Sequence, residues 1–232
     1  MRIVKQPVTF AVSNFDNIVG AGVGAKASSK HGPLLPNSIR CIIAGPSNCG
    51  KTNVLFNLIF DPCGLVFENI YVFSKSLYQP KYKFLEKAIP KEIGYFAFDD
   101  NSQVLHPNEA KPNSIVIFDD VACEKHDNIR NFFTMGRHKN LDIFYLGQTY
   151  SRIPKQLVRD NTGLLILFKQ DDMNLRHVYN DHVNTDCTFD KFKKLCSIAW
   201  ADNHGFVVID KEREIYKGRY RIGLDGFVES LE

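Results

Sequence analysis

The segment CIIAGPSNCGKTNVLFNLIF, residues 41–60, constrains the fold more than any other. It opens with a short apolar run of the kind that fills a strand. The second run, from Lys51, places apolar residues at three- and four-residue intervals, the period of a helix with one buried face. Between them lies a polar loop that begins at Gly45 and holds one lysine. Gly45-Pro46-Ser47-Asn48-Cys49-Gly50-Lys51-Thr52 fits Gly-x-x-x-x-Gly-Lys-[Ser/Thr], the P-loop pattern, in the context the pattern requires. Its glycines let successive backbone N–H groups turn inward around an anion, and the helix N-terminus adds partial positive charge. In such a loop Lys51 reaches the β- and γ-phosphates of ATP and Thr52 offers its hydroxyl to Mg²⁺. Residues 45–53, Asn53 included, are the expected nucleotide contact.

The alternation of strand and helix continues along the chain. Strand-like runs fall at 40–44, 69–74, 93–98, 114–119, 142–147, 163–169 and 205–210, several of them apolar on both faces, as strands of a covered parallel sheet must be. KTNVLFNLIF, PKYKFLEKAI and DNIRNFFTMGRH carry helical spacing between them. An α/β sandwich follows, with helices flanking a mostly parallel sheet. No internal repeat or second composition regime is present, so one domain is expected over 36–232. The stretch before it contains GAGVGAKASSKHGP and reads as a flexible arm over 1–35. Gly20, Gly22 and Ala25 match a dinucleotide fingerprint in spacing only, since no buried strand precedes them.

Composition narrows the class. In 232 residues, 44% of them hydrophobic, a real core can form, yet no apolar run approaches the roughly 20 residues of a membrane span. No secretory leader is apparent, and the six cysteines include no Cys-x-x-Cys pair. Reduced thiols in an intracellular setting are expected, with Cys49 inside the loop a candidate for oxidation that blocks ATP binding. A net charge of +3 is too small to prove a polyanionic partner.

Hydrolysis requires more than a phosphate cradle. SIVIFDD ends a buried strand with Asp119 and Asp120, at the edge where ligands bind in open α/β sheets. Asp119 is the expected metal anchor, and Asp120 the residue that orients or deprotonates the attacking water. Gln148, just past DIFYLG, is placed to contact the γ-phosphate or that water. Two arginines compete to neutralise transition-state charge. Arg137 precedes its strand, at the far edge of the sheet, and serves only a neighbouring subunit; Arg152 follows Gln148 on the nucleotide side. Arg137 is the favoured candidate.

GPSNCGKTN, IVIFDD, GRHKNLDIFYLGQTYSRIPKQLVRDN and the closing HGFVVIDKE…YRIGLDGF together resemble the poxvirus-type DNA-packaging ATPases. These belong to the FtsK/HerA branch of P-loop motors, carried also by other large DNA viruses and by Polinton/Maverick transposons. The resemblance covers about Leu35 to the C-terminus and implies an additional-strand, RecA/FtsK-like sheet. It implies an ATP- and Mg²⁺-dependent motor, a homo-oligomeric ring, that drives double-stranded DNA into a capsid with capsid or portal partners and no membrane. Its P-loop residues fall on Gly45, Gly50, Lys51 and Thr52, its acids on Asp119 and Asp120, its polar sensor on Gln148 and its interface arginine on Arg137. The branch often carries Glu as the second acid, where this chain has Asp120.

DNA phosphate contacts are expected among Lys139, Lys155 and Arg159, the lysines of DKFKKL, and Arg213, Lys217, Arg219 and Arg221. Asp171, Asp172, Asp181 and Asp190 read as solvated loop acids rather than a nuclease centre. Two rivals remain: a helicase- or AAA-like ATPase, with Phe144, Tyr145 and Tyr150 as stacking aromatics, and a nucleotide-dependent switch that drives nothing.

Overall fold

A computed structural model describes residues 29–100, 103–119, 121, 127–155 and 159–230. Among them the strands are β1 (Arg40–Ala44), β2 (Asn69–Ser74), β3 (Gly94–Phe98), β4 (Ser114–Asp119), β5 (Leu141–Gly147), β6 (Leu164–Phe168), β7 (Phe206–Asp210), β8 (Tyr220–Ile222) and β9 (Gly226–Phe227). They form one nine-stranded sheet in the order β3-β2-β4-β5-β1-β6-β7-β8-β9. The strands from β3 to β6 in this order run parallel, and β7, β8 and β9 add antiparallel. β5 lies between β1 and β4, so the strand carrying the P-loop and the strand ending in Asp119 are not neighbours.

Side-chain alternation assigns each strand residue to one of two apolar layers. Cys41, Ile43, Ile115 and Ile117 face helices α1 (Lys51–Phe60) and α2 (Pro80–Ala88), whose Leu55, Ile59 and Leu85 pack onto them. Ile42, Ala44, Val116 and Phe118 face α3 (Asp127–Met135), α4 (Asp172–Val178) and α5 (Phe189–Ala199), meeting Phe132, Leu175 and Phe192. Burial on both sides explains the unbroken apolar strands of the sequence. The central strands β1, β2, β4, β5 and β6 start and end within one residue of expectation.

Three features depart from the sequence reading. β8 and β9 were not anticipated, because three- and two-residue strands around a glycine turn carry no usable period. Asp181 is not a solvated loop acid: it lies in a π-helical turn over Tyr179–Val183 and forms an ion pair with Arg159 Nη1 at 2.9 Å, both side chains under 10% exposed. Arg159 also lies over the Tyr150 ring at 5.1 Å. Arg221 is buried likewise, 1% exposed, donating to Asp210 at 2.6 Å and to the carbonyls of Leu34 and Gly218. Arg219 pairs with Asp186 at 2.6 Å. These three arginines hold the fold together and are not presented to DNA.

Of the expected arm, residues 1–28 lie outside the described residues. Beyond them the chain is held against the sheet. His31 and Lys30 both reach Asp142 Oδ2, at 3.0 and 2.6 Å, while Asp142 Oδ1 accepts the N–H of Ile39. His31 Nδ1 accepts from the N–H of Val66, so its Nε2 carries the proton given to Asp142.

Candidate active site

Parallel strands deliver their C-terminal ends to one edge of the sheet, and the residues just past β1, β2, β4 and β5 line one cavity there, of about 780 Å³. β1 leads into the loop through Gly45, where an added Cβ would lie 2.6 Å from Phe168 Cβ and 2.7 Å from Cys49 Sγ. Only glycine lets the loop turn that close to β6. Asn48 and Gly50 both take positive φ, 62° and 114°, the kind of reversal by which an anion-binding loop turns N–H groups toward its ligand. Gly50 is also the N-cap of α1 and brings no side-chain acceptor to the helix end, so the first-turn N–H groups face the cavity.

Ser47, Asn48, Gly50, Lys51, Thr52 and Asn53 line this cavity. Lys51 Nζ donates to the carbonyls of Gly45 and Pro46 at 2.6 and 2.9 Å, which sets its ammonium across the loop. Pro46 and Cys49 line instead, with Ser47 and Asn48, a second hollow of about 430 Å³ against β6 and the Trp200–Gly205 turn. Half-burial raises the Cys49 thiol pKa, Lys51 offsetting part of the rise, so this cysteine is held as the thiol rather than the reactive thiolate.

Asp119 ends β4 and lines the same cavity as Thr52. Gln148 follows β5 and therefore emerges between the P-loop and Asp119, with Thr149 beside it. Asp120 lies outside the described residues. Arg152, exposed, faces this cavity from within its own chain. Arg137 sits in the turn Gly136–Lys139 ahead of β5, exposed at the opposite end of the strands.

The sequence reading missed a whole wall. Lys75 and Ser76 follow β2, and Gln79 and Lys81 open α2; all four line the cavity, so Lys51, Lys75, Lys81 and Arg152 surround it with positive charge. The signal was present: β2 was recognised, and residues just past the C-terminal end of any parallel strand face the ligand edge. Pro80 at the first turn of α2 marked the helix start as well.

Family comparison decides what such a site belongs to. The model of the family described as "Poxvirus A32 protein" matches residues 28–198. The chain belongs to that family. It is thus a P-loop ATPase of the poxvirus packaging type, as the sequence resemblance implies. Among solved structures, the fold is similar to that of the genome packaging NTPase B204 from Sulfolobus turreted icosahedral virus 2 in complex with sulfate. That likeness has a TM-score of 0.57 at 14% identity and covers 84% of this chain and 100% of that one. The same NTPase in complex with ATP-gammaS gives a TM-score of 0.54 at 13% identity over 81% of this chain and 97% of that one. B204, the DNA-packaging ATPase from Sulfolobus turreted icosahedral virus, gives 0.52 at 15% identity over 78% and 95%. At these identities the likeness speaks for the fold. No curated protein sequence matches the chain.

Proposed function

We propose that this chain binds Mg·ATP between loop 45–53 and the ends of β4 and β5, hydrolyses it, and uses the cycle to drive double-stranded DNA into a viral or virus-like capsid. The observation that carries the reading is the convergence of Lys51, Thr52, Asp119 and Gln148, from three separate chain segments, on one cavity.

Residue roles follow from position. The N–H groups of the loop and of the first turn of α1 hold the phosphate chain, and Lys51 swings from the loop carbonyls to the β- and γ-phosphates. Thr52 and Asp119 offer a hydroxyl and a carboxylate, the few hard oxygen donors that suit Mg²⁺ when phosphate and water complete its shell. An ion held by these two residues would supply charge neutralisation at the phosphate oxygens. Gln148 orients the attacking water, and Asp120, the next residue after Asp119, is its general base.

Arg137 completes the charge neutralisation from a neighbouring subunit. Its place at the opposite edge from the cavity supports a head-to-tail contact between copies, the kind that closes into a ring. Arg152, at the cavity of its own chain, binds phosphate in cis. DNA is held by its backbone phosphates through exposed cations such as Lys139 and Lys155. A single-strand helicase reading gains nothing from Phe144, Tyr145 and Tyr150, which are 0%, 8% and 0% exposed and do not form a stacking face. No helix among the described residues is long and apolar enough to cross a membrane. We place the activity inside the infected cell, where capsids assemble, with a capsid or portal protein as partner.

The test is steady-state ATP turnover against protein concentration, with and without linear double-stranded DNA. Turnover that rises with both, and vanishes in Lys51→Ala, is the expected result. Turnover independent of concentration and DNA would mean a solitary nucleotide switch.

A further inference from the structure

Asp119 is held from behind by a residue outside every motif in the sequence. Tyr82, in the first turn of α2, is 2% exposed, and its phenol O–H donates to Asp119 Oδ2. Ser74 stands directly opposite Asp119 in the β2–β4 register, beside the Tyr82 phenol. The Ser74 oxygen in turn accepts the N–H of Ser76 at 3.1 Å, and Ser76 lines the cavity.

The Tyr82–Asp119 bond has a direction. Burial and the facing carboxylate push the Tyr82 phenol far above its ordinary pKa, so it is an O–H donor at any working pH. A carboxylate can only accept here, so the phenol's proton is committed to Asp119. The ring meets Phe56 edge-on at 6.0 Å within the α1–α2 layer, which leaves the phenol little room to turn elsewhere. A carboxylate otherwise rotates over a broad, roughly two-fold torsional well, whereas this one is pinned by one oxygen.

We propose that Tyr82 is a positioning residue for the catalytic metal: by holding Oδ2 of Asp119 it fixes how the carboxylate faces the cavity in which the ion would bind. The inference rests on the reading of Asp119 as the metal anchor. Partners that orient a metal ligand typically change metal affinity about 10- to 100-fold when removed. Tyr82 does not line the cavity and acts through Asp119, so its removal weakens the response to metal and leaves metal-free nucleotide binding intact.

The experiment is equilibrium binding of a fluorescent, non-hydrolysable ATP analogue to the full chain, in EDTA and across a Mg²⁺ titration, with a thermal melt of every variant. Tyr82→Phe is expected to raise the half-saturating Mg²⁺ concentration about tenfold and to leave the affinity in EDTA unchanged. Asp119→Asn raises it further, and adding Tyr82→Phe to Asp119→Asn changes nothing more. An unchanged Mg²⁺ midpoint in folded Tyr82→Phe overturns the proposal, as does an equal loss of affinity with and without metal. Should Tyr82→Phe melt below the assay temperature, the same titration of parent and variant in the cold, below both melting points, decides by the same two outcomes. If Asp119→Asn itself leaves the midpoint unmoved, the metal reading of Asp119 falls and this inference falls with it.

Discussion

His204 Nδ1 donates to the carbonyl oxygen of Cys49 at 3.0 Å, joining the turn before β7 to the middle of the phosphate loop across 155 positions. With that carbonyl held outward, the neighbouring N–H groups are left for the anion. His204→Ala removes one hydrogen bond, worth about 1 kcal/mol, so ATP affinity should fall roughly fivefold with little change in melting temperature. Isothermal titration with ATP checks this, and unchanged affinity would show that the loop holds its shape unaided.

Gly50 carries φ of 114°, with the Phe168 ring 3.4 Å from where a Cβ would sit. Gly50→Ala should cost about 1–2 kcal/mol in the left-handed backbone and weaken ATP binding more than stability, since relief comes by flipping the loop. Comparing urea midpoints with ATP affinities separates the two effects.

Arg137 and Arg152 should fail differently. Arg137→Ala should bind ATP like the parent yet turn over at least about 100-fold more slowly, in line with the loss of a trans-acting arginine. Arg152→Ala should lose affinity first, because Arg152 lines its own cavity. Mixing Lys51→Ala with Arg137→Ala subunits should restore part of the turnover if the arginine acts across the interface. No restoration in the mixture would place the transition-state charge on Arg152.

His182 is buried beside Tyr150, whose hydroxyl lies 2.7 Å from its Nε2. Burial first, then the charges of Lys211, Arg159 and Arg219, lower its pKa from 6.5 to about 4, with Asp181 opposing. Because the unfolded chain takes up this proton near 6.5 and the folded chain resists it until about 4, stability is lost as pH falls through that window. The full loss is about 3 kcal/mol, and His182→Gln should flatten this part of the curve. Denaturant midpoints from pH 7 to pH 4 provide the measurement.

Arg221 and Asp210 are both almost fully buried and joined at 2.6 Å. Arg221→Ala strands a buried carboxylate whose remaining cation is the more exposed Arg213, and should cost about 3–5 kcal/mol. Arg221→Met with Asp210→Asn, removing both charges, should cost less. Melting temperatures of the single and double variants test the pair.

What the sequence revealed and what it hid follow from how each feature leaves a trace. A strand covered on both faces writes an unbroken apolar run, so β1, β2 and β4 were legible at their ends, and the P-loop was legible because its chemistry needs named residues at fixed spacing. Gln148 was found because it follows such a strand. Arg159, Arg219 and Arg221 were misread because charge ordinarily marks surface, and nothing local tells that a buried Asp waits for each guanidinium. Tyr82 was invisible for a related reason: on α2 its position is that of any core aromatic, and only the register of β2 against β4 brings Asp119 to its hydroxyl. Lys75 and Lys81 were within reach of the rule that located Asp119.

The insertion of β5 between β1 and β4 has a consequence for when the protein can first work. A chain emerging from the ribosome as far as residue 119 carries both the phosphate loop and Asp119. It lacks Leu141–Gly147, the strand that must lie between theirs. Closing the site therefore waits on a pairing of β1 with a segment about a hundred residues downstream, the long-range kind of contact that forms slowly. A nascent chain that has shown both signature motifs should still ignore ATP, and acquires its ligand only as the sheet is completed from the middle.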